Sequence, residues 1–133
     1  LFHVVDDPSG TPINKKITVE DVFNNIPTWV GLNSTSQAIT GDGSTSSAIE
    51  ITSPVTEVDA TSAGAPCTLA DGANGQIKTI INVSTGGTNA VVITPSNLRG
   101  GTTVTLNAPG ETVQLMFKNS NWNVIGGHDF AVA

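Results

Sequence analysis

The sequence predicts an all-β fold: a sandwich or barrel-like antiparallel domain preceded by a short N-terminal arm with one short helix. Three observations lead there. From Trp29 onward, short apolar runs follow one another, separated by Gly-, Asn- and Asp-rich turn signals every 8 to 12 residues or so. Threonine and serine are abundant (18 and 11 of 133 residues), tyrosine is absent and charged residues are only 12%, a composition suited to extended structure. The stretch "GETVQLMFKNSNWNVIGG", residues 110–127, alternates apolar and polar residues almost without a break. Val113, Leu115 and Phe117 would share one face of a strand, Trp122 and Val124 one face of the next, with Lys118 to Asn121 as the turn.

The arm comes first, at residues 1–27. Phe2, Val4 and Val5 make a short extended piece, and Asp7-Pro8-Ser9-Gly10 reads as a turn. Thr18 is a plausible N-cap with Asp21 three residues later. Val19, Val22, Phe23 and Ile26 then fall on one helical face, and Pro27 ends the helix. A helix of about two turns is too short to stand alone, so its apolar face must dock on something. Phe2, Val19, Val22, Phe23 and Ile26 are therefore candidate docking residues. Trp29, just past Pro27, could pin the arm to the body, pack on a partner or stack on a sugar.

The body spans residues 28–133. Candidate strands lie at 29–32, 37–40, 47–51, 55–59, 67–70, 76–83, 90–94, 102–106, 112–117 and 121–125. The turn signals between them are "GDG" at 41–43, "DGANG" at 71–75, "STGGTN" at 84–89, "LRGG" at 98–101 and "APG" at 108–110. In "QIKTIINV", Ile77, Ile81 and Val83 face one way and Ile80 the other. That strand is expected to be covered on both sides, as a central strand or against a subunit neighbour. Ile77, Ile80, Val113, Leu115, Phe117 and Trp122 are accordingly candidates for the core or a subunit interface. The Gly-Gly pairs at 86–87, 100–101 and 126–127 recur without a fixed period, so no repeat architecture is predicted.

Composition also narrows function. A chain of 133 residues can bury about two-thirds of its unfolded surface without covalent staples, and its single cysteine, Cys67, permits no internal disulfide. Cys67 reads as a small buried hydrophobe near the start of a strand. No apolar run approaches the roughly 20 residues of a membrane helix, so a soluble protein is expected. The net charge is −6, and the five basic residues, Lys15, Lys16, Lys78, Arg99 and Lys118, are scattered. Nucleic acid and anionic membranes both need clustered cations, so neither is an expected partner.

Reaction chemistry is sparse. No phosphate-binding loop and no Gly-x-Ser-x-Gly elbow occurs. His3 and His128 could ligate a metal only if the ends of the chain met, so no metal or cofactor is expected. Glu50, Glu57 and Asp59 lie on neighbouring candidate strands and could form a glycosidase pair, yet alternation puts each where a solvated face is expected. Asp42 and Asp71 precede glycines, where their side chains bond local backbone. Trp122 is in register with Val124 and belongs to the core, leaving Trp29 as the fair candidate for glycan stacking. Asn33 and Asn82 sit in N-x-Ser/Thr sequons, Asn82 within a strand. A structural or binding role fits these features better than an enzyme.

The segments "TLADGANGQIKTI", "ITPSNLRGGTTVTL" and "GETVQLMFKNSNWNVIGG" resemble a pattern in small virion proteins of tailed phages, especially those of marine bacteria and cyanobacteria. The resemblance runs from about Ala65 to Gly127, and the opening "LFHVVDDPSGTPINKKITVEDVFNNIP" resembles the leading segment of such proteins. It implies a β-rich head-decoration (cement) protein or fibre component, often a homotrimer on the particle surface, whose partners are its own copies and the major capsid protein. It supplies no catalytic residues. The alternative is a carbohydrate-binding module on a fibre, using Trp29.

Overall fold

In the computed structural model, residues 36–62 and 64–133 are described in full, together with the backbone of residues 2–6 and 13–17. Two strands form a sheet of their own in the N-terminal segment: β1 (Phe2–Asp6) and β2 (Ile13–Ile17), an antiparallel hairpin pairing Phe2 with Ile17 and Asp6 with Ile13. The extended piece expected at Phe2 to Val5 is β1. The expected helix with Val19, Val22, Phe23 and Ile26, and the strand expected at 29–32 with Trp29, lie outside the described residues.

The body contains β3 (Gln37–Gly41), β4 (Ser47–Ile49), β5 (Val55–Ala60), β6 (Ala65–Leu69), β7 (Ile77–Asn82), β8 (Val91–Pro95), β9 (Val104–Leu106), β10 (Thr112–Lys118), β11 (Asn121–His128) and β12 (Phe130–Val132). They form two five-stranded sheets, β11-β10-β7-β5-β3 and β12-β9-β8-β6-β4. One apolar core joins them. Ile39, Val58, Ile80, Val113 and Leu115 of the first sheet cluster with Ile49, Cys67, Leu69, Ile93, Val104 and Leu106 of the second. All-β is therefore the observed class, and every strand expected from Gln37 onward is present with its ends shifted by a few residues.

The expected antiparallel pairing is corrected. β3, β5 and β7 are parallel neighbours, and so are β4, β6 and β8. From β3 to β8 the chain alternates between the two sheets, so each sheet gains every second strand. A chain that reverses at each crossing regains its direction after two, which makes in-sheet neighbours parallel. The result is a flattened coil. Gln37 lies beside Thr56, and Val55 beside Thr79. The number of residues per coil thus changes from one coil to the next, and no fixed period shows in the sequence.

Antiparallel strands then close the coil. β9 turns back on β8, β10 on β7, β11 on β10, and β12 on β9. The β10–β11 turn has positive φ at Asn119 (51°) and Ser120 (59°), a type I′ loop that matches the twist of the strands. Gln114 pairs with Gly126 but Leu115 with Val124, so Ile125 is the extra residue of a bulge. Beyond it Gly127 (φ 151°) still pairs with Val113, and a Cβ there would collide with the Thr112 carbonyl oxygen; the chain leaves the first sheet after His128.

Candidate partner-binding surface

Strand β7 is built the wrong way round for its sequence. Its more apolar set, Ile77, Ile81 and the following Val83, points away from the core, and Val83 is 36% exposed. The buried set is Gln76, Lys78, Ile80, Asn82 and Ser84. A shift of one residue would reverse this, so the register must be set by what the polar side chains bond.

They bond the corners between the sheets. The Gln76 side chain donates to the Ile51 carbonyl and accepts from the Ala73 N–H (2.9 Å). Lys78 Nζ donates to the Ser53 carbonyl on the same β4–β5 corner. Gln37 completes that end: its Oε1 accepts from Glu50 N–H and Thr56 Oγ1 (both 2.9 Å), while Nε2 donates to the Ala48 carbonyl (3.0 Å). At the other end Asn82 Nδ2 donates to the Asn89 and Leu106 carbonyls (2.9 and 3.1 Å), and its Oδ1 accepts from Ser84 N–H and Oγ. Ser84 Oγ accepts from the Ala60 N–H, and Asn89 Nδ2 donates to the Ala60 carbonyl. These bonds satisfy carbonyls that the crossings would otherwise bury unpaired. Burial lowers the Lys78 amine from 10.5 to about 8, with Glu50 pulling the other way.

The outer face of the first sheet carries apolar side chains around a central Thr79–Gln114 pair, whose amide donates to the hydroxyl (3.3 Å), and charges towards its ends. Ile77 pairs with Met116; Thr79 pairs with Gln114 and lies beside Val55; Ile81 pairs with Thr112 and lies beside Glu57. Lys118 sits at one end, where Gly75 N–H meets the Phe117 carbonyl. Asp59 sits at the other, where Val83 N–H meets the Val58 carbonyl. The second sheet's outer face is different: Ala48, Pro66, Thr68, Val92, Thr94 and Thr105 carry no charge.

Of the six residues offered for the core or a subunit interface, Ile80, Val113, Leu115, Phe117 and Trp122 lie in the core and Ile77 lies on the outer face. Trp122 is fully buried: its Nε1 donates to the Ala70 carbonyl (3.0 Å), and its ring meets Phe117 edge-on, centroids 5.2 Å apart. Its faces are not open to a sugar. Phe2 belongs to β1; Val19, Val22, Phe23, Ile26 and Trp29 lie outside the described residues.

The remaining chemistry-bearing groups serve structure. Burial pushes the Cys67 thiol up to about 11, so the thiolate is scarce at neutral pH. The Asp42 carboxylate accepts from the Thr45 and Ser44 N–H groups (2.8 and 2.9 Å), which holds it below the usual carboxylate range. Asp71, expected to bond local backbone, instead accepts from the Asn97 side chain across two loops (3.0 and 2.9 Å). Glu57 and Asp59 share the outer face of β5, while Glu50 sits on the corner before it and accepts from Ser53 Oγ. His128 pairs with adjacent Asp129 (3.3 Å) on the surface. Asn82, whose sequon was noted, is fully buried with its amide nitrogen committed. Among the described residues no three His, Cys, Asp or Glu side chains come together to hold a metal, and no helix is long and apolar enough to cross a membrane.

No protein-family model matches the chain, and a search of curated proteins finds no relative.

Proposed function

We propose that the protein is a structural virion protein of a tailed phage, a capsid decoration (cement) protein that docks on the head surface as a homotrimer and stabilises it. The observation that carries this reading is how the body uses its polar side chains. Gln37, Gln76, Lys78, Asn82, Ser84 and Asn89 each fasten a crossing between the sheets rather than line a reactive cleft. That is the construction of a rigid spacer. The resemblance of residues 65–127 and of the opening segment to phage virion proteins supports the same class. The docking element is the arm, residues 1–27, with Phe2, Val22, Phe23 and Ile26 as its anchors. The partner is the major capsid protein, no cofactor takes part, and the reading is of a non-enzymatic protein at the virion surface.

The test is co-sedimentation of the purified chain with phage heads stripped of decoration protein. Saturable binding, with a rise in the temperature at which the heads open, is expected. A chain lacking residues 1–27 should keep its β-type circular dichroism and lose binding. No binding of the full chain to heads would overturn the proposal, and retained binding of the shortened chain would overturn the arm's role.

A further inference from the structure

We infer that the outer face of the β3-β5-β7-β10-β11 sheet is the surface through which copies of this chain associate. The Lys118 end of one copy's face packs against the Glu57–Asp59 end of the next. This rests on the self-association in the proposed function and assigns its contact.

Three observations converge on this face. First, β7 directs Ile77, Ile81 and Val83 outward while burying Lys78 and Asn82. A central strand that buries an ammonium group in order to present isoleucines outward departs from the usual economy of a sheet, and such departures concentrate at sites of function. Met116 and Val55 extend the same patch across β10 and β5. Second, the patch mixes apolar and polar groups as protein interfaces do: Ile77, Met116, Ile81 and Val55 surround a hydrogen-bonded Gln114–Thr79 pair (3.3 Å), with Glu57 and Asp59 towards one end and Lys118 at the other.

Third, the charge layout selects both the occupant and the orientation. A net charge of −6 makes copies of the chain repel one another, and a cation at the contact offsets part of that repulsion. Among the described residues Lys118 is the cation of this face, exposed at the end opposite Asp59. Two copies meeting through like ends would oppose carboxylate to carboxylate. Meeting through unlike ends, each contact sets Lys118 against Glu57 and Asp59 and lays Ile77 and Met116 near Ile81 and Val83. Copies related by a two-fold axis make that contact reciprocally, as an isologous pair, whereas copies that follow one another round a closed ring make it heterologously, as the trimer of the proposed function requires. The uncharged outer face of the second sheet has no such polarity.

The experiment is native mass, by light scattering and sedimentation equilibrium at micromolar concentration, of the full chain and five variants. Thr79→Arg places a charge at the patch centre and is expected to give folded monomers. Thr94→Arg, on the second sheet's outer face, is expected to associate like the unaltered chain. Lys118→Glu and Glu57→Lys should each weaken association by about tenfold or more, and the double variant carrying both should restore it. Restoration is a result that a merely structural role for either residue does not produce, and it stands even if Thr79→Arg fails to fold. Unweakened association in both single charge variants, or loss of association in Thr94→Arg with Thr79→Arg unaffected, would overturn the assignment. A monomeric unaltered chain would overturn it too, while head co-sedimentation would still decide the docking role separately.

Discussion

Lys78 is a fully buried ammonium group whose Nζ bonds the Ser53 carbonyl, and its burial lowers it from 10.5 to about 8. Below pH 8 the folded protein must hold a proton that the interior disfavours, a cost on the order of 3 kcal/mol. Between pH 8 and 10.5 the folded amine is neutral while the unfolded one is still protonated, so unfolding takes up a proton and stability rises with pH. Lys78→Met should stabilise the chain by about 1–3 kcal/mol at pH 7, despite the lost hydrogen bond, and flatten that rise. Urea unfolding at pH 7 and 9.5 measures both. Asn82→Ala should act oppositely, costing about 2–4 kcal/mol, because it strips partners from the Leu106 and Asn89 carbonyls and from Ser84. An unchanged midpoint in urea would show that water replaces the amide. These roles were illegible in the sequence for one reason. A lysine or asparagine within a strand reads as outward-facing, and its partners, the Ser53 carbonyl and the Leu106 carbonyl, lie far away along the chain. The roles of Val113, Leu115, Phe117 and Trp122 were legible because strict alternation over a whole hairpin fixes the buried face without knowledge of the partner sheet.

At the scale of the element, the β10–β11 hairpin is the part that sequence specifies best. Its turn, Asn119-Ser120, has both residues in the left-handed region, where asparagine is tolerated and serine is strained. Ser120→Gly should therefore stabilise by about 0.5–1 kcal/mol, read as a rise in melting temperature; a fall would mean that the serine side chain has a role of its own. Gly127→Ala should do the reverse and cost more, since its Cβ would collide with the Thr112 carbonyl and with the Phe130 ring at 2.7 Å. Of the five crossings from β3 to β8, those at 41–43, 71–75 and 84–89 were read as turns but not as crossings, and the two on either side of β5 carried no turn signal in the reading. A hairpin turn and an arc between two sheets draw on the same Gly, Asp, Asn and Ser residues. Only the partner strand separates them, and the uneven coils conceal it.

At the scale of the whole molecule, the body combines a coil of parallel strands with an antiparallel closure, and these two parts should form at different times. β10 and β11 meet through a two-residue turn, and β8 and β9 pair as sequence neighbours. β3 with β5, and β5 with β7, can pair only after the intervening strand has crossed to the other sheet and back. Loop closure must precede those contacts, so folding on the millisecond-to-second scale is expected, in contrast to the microseconds of helical bundles. The local hairpin with its Phe117–Trp122 contact is the natural nucleus, since it closes the shortest loop around the largest buried rings. Leu115→Ala, in that hairpin, should then slow folding by most of its stability loss. Ile39→Val, on the edge strand of the first coil, should leave the folding rate nearly unchanged and speed unfolding. Stopped-flow chevrons of the two variants separate the cases. If Ile39→Val slows folding and Leu115→Ala does not, the coil nucleates first and the hairpin only locks it. The antiparallel strands would then be a clasp on a body that the parallel crossings had already built.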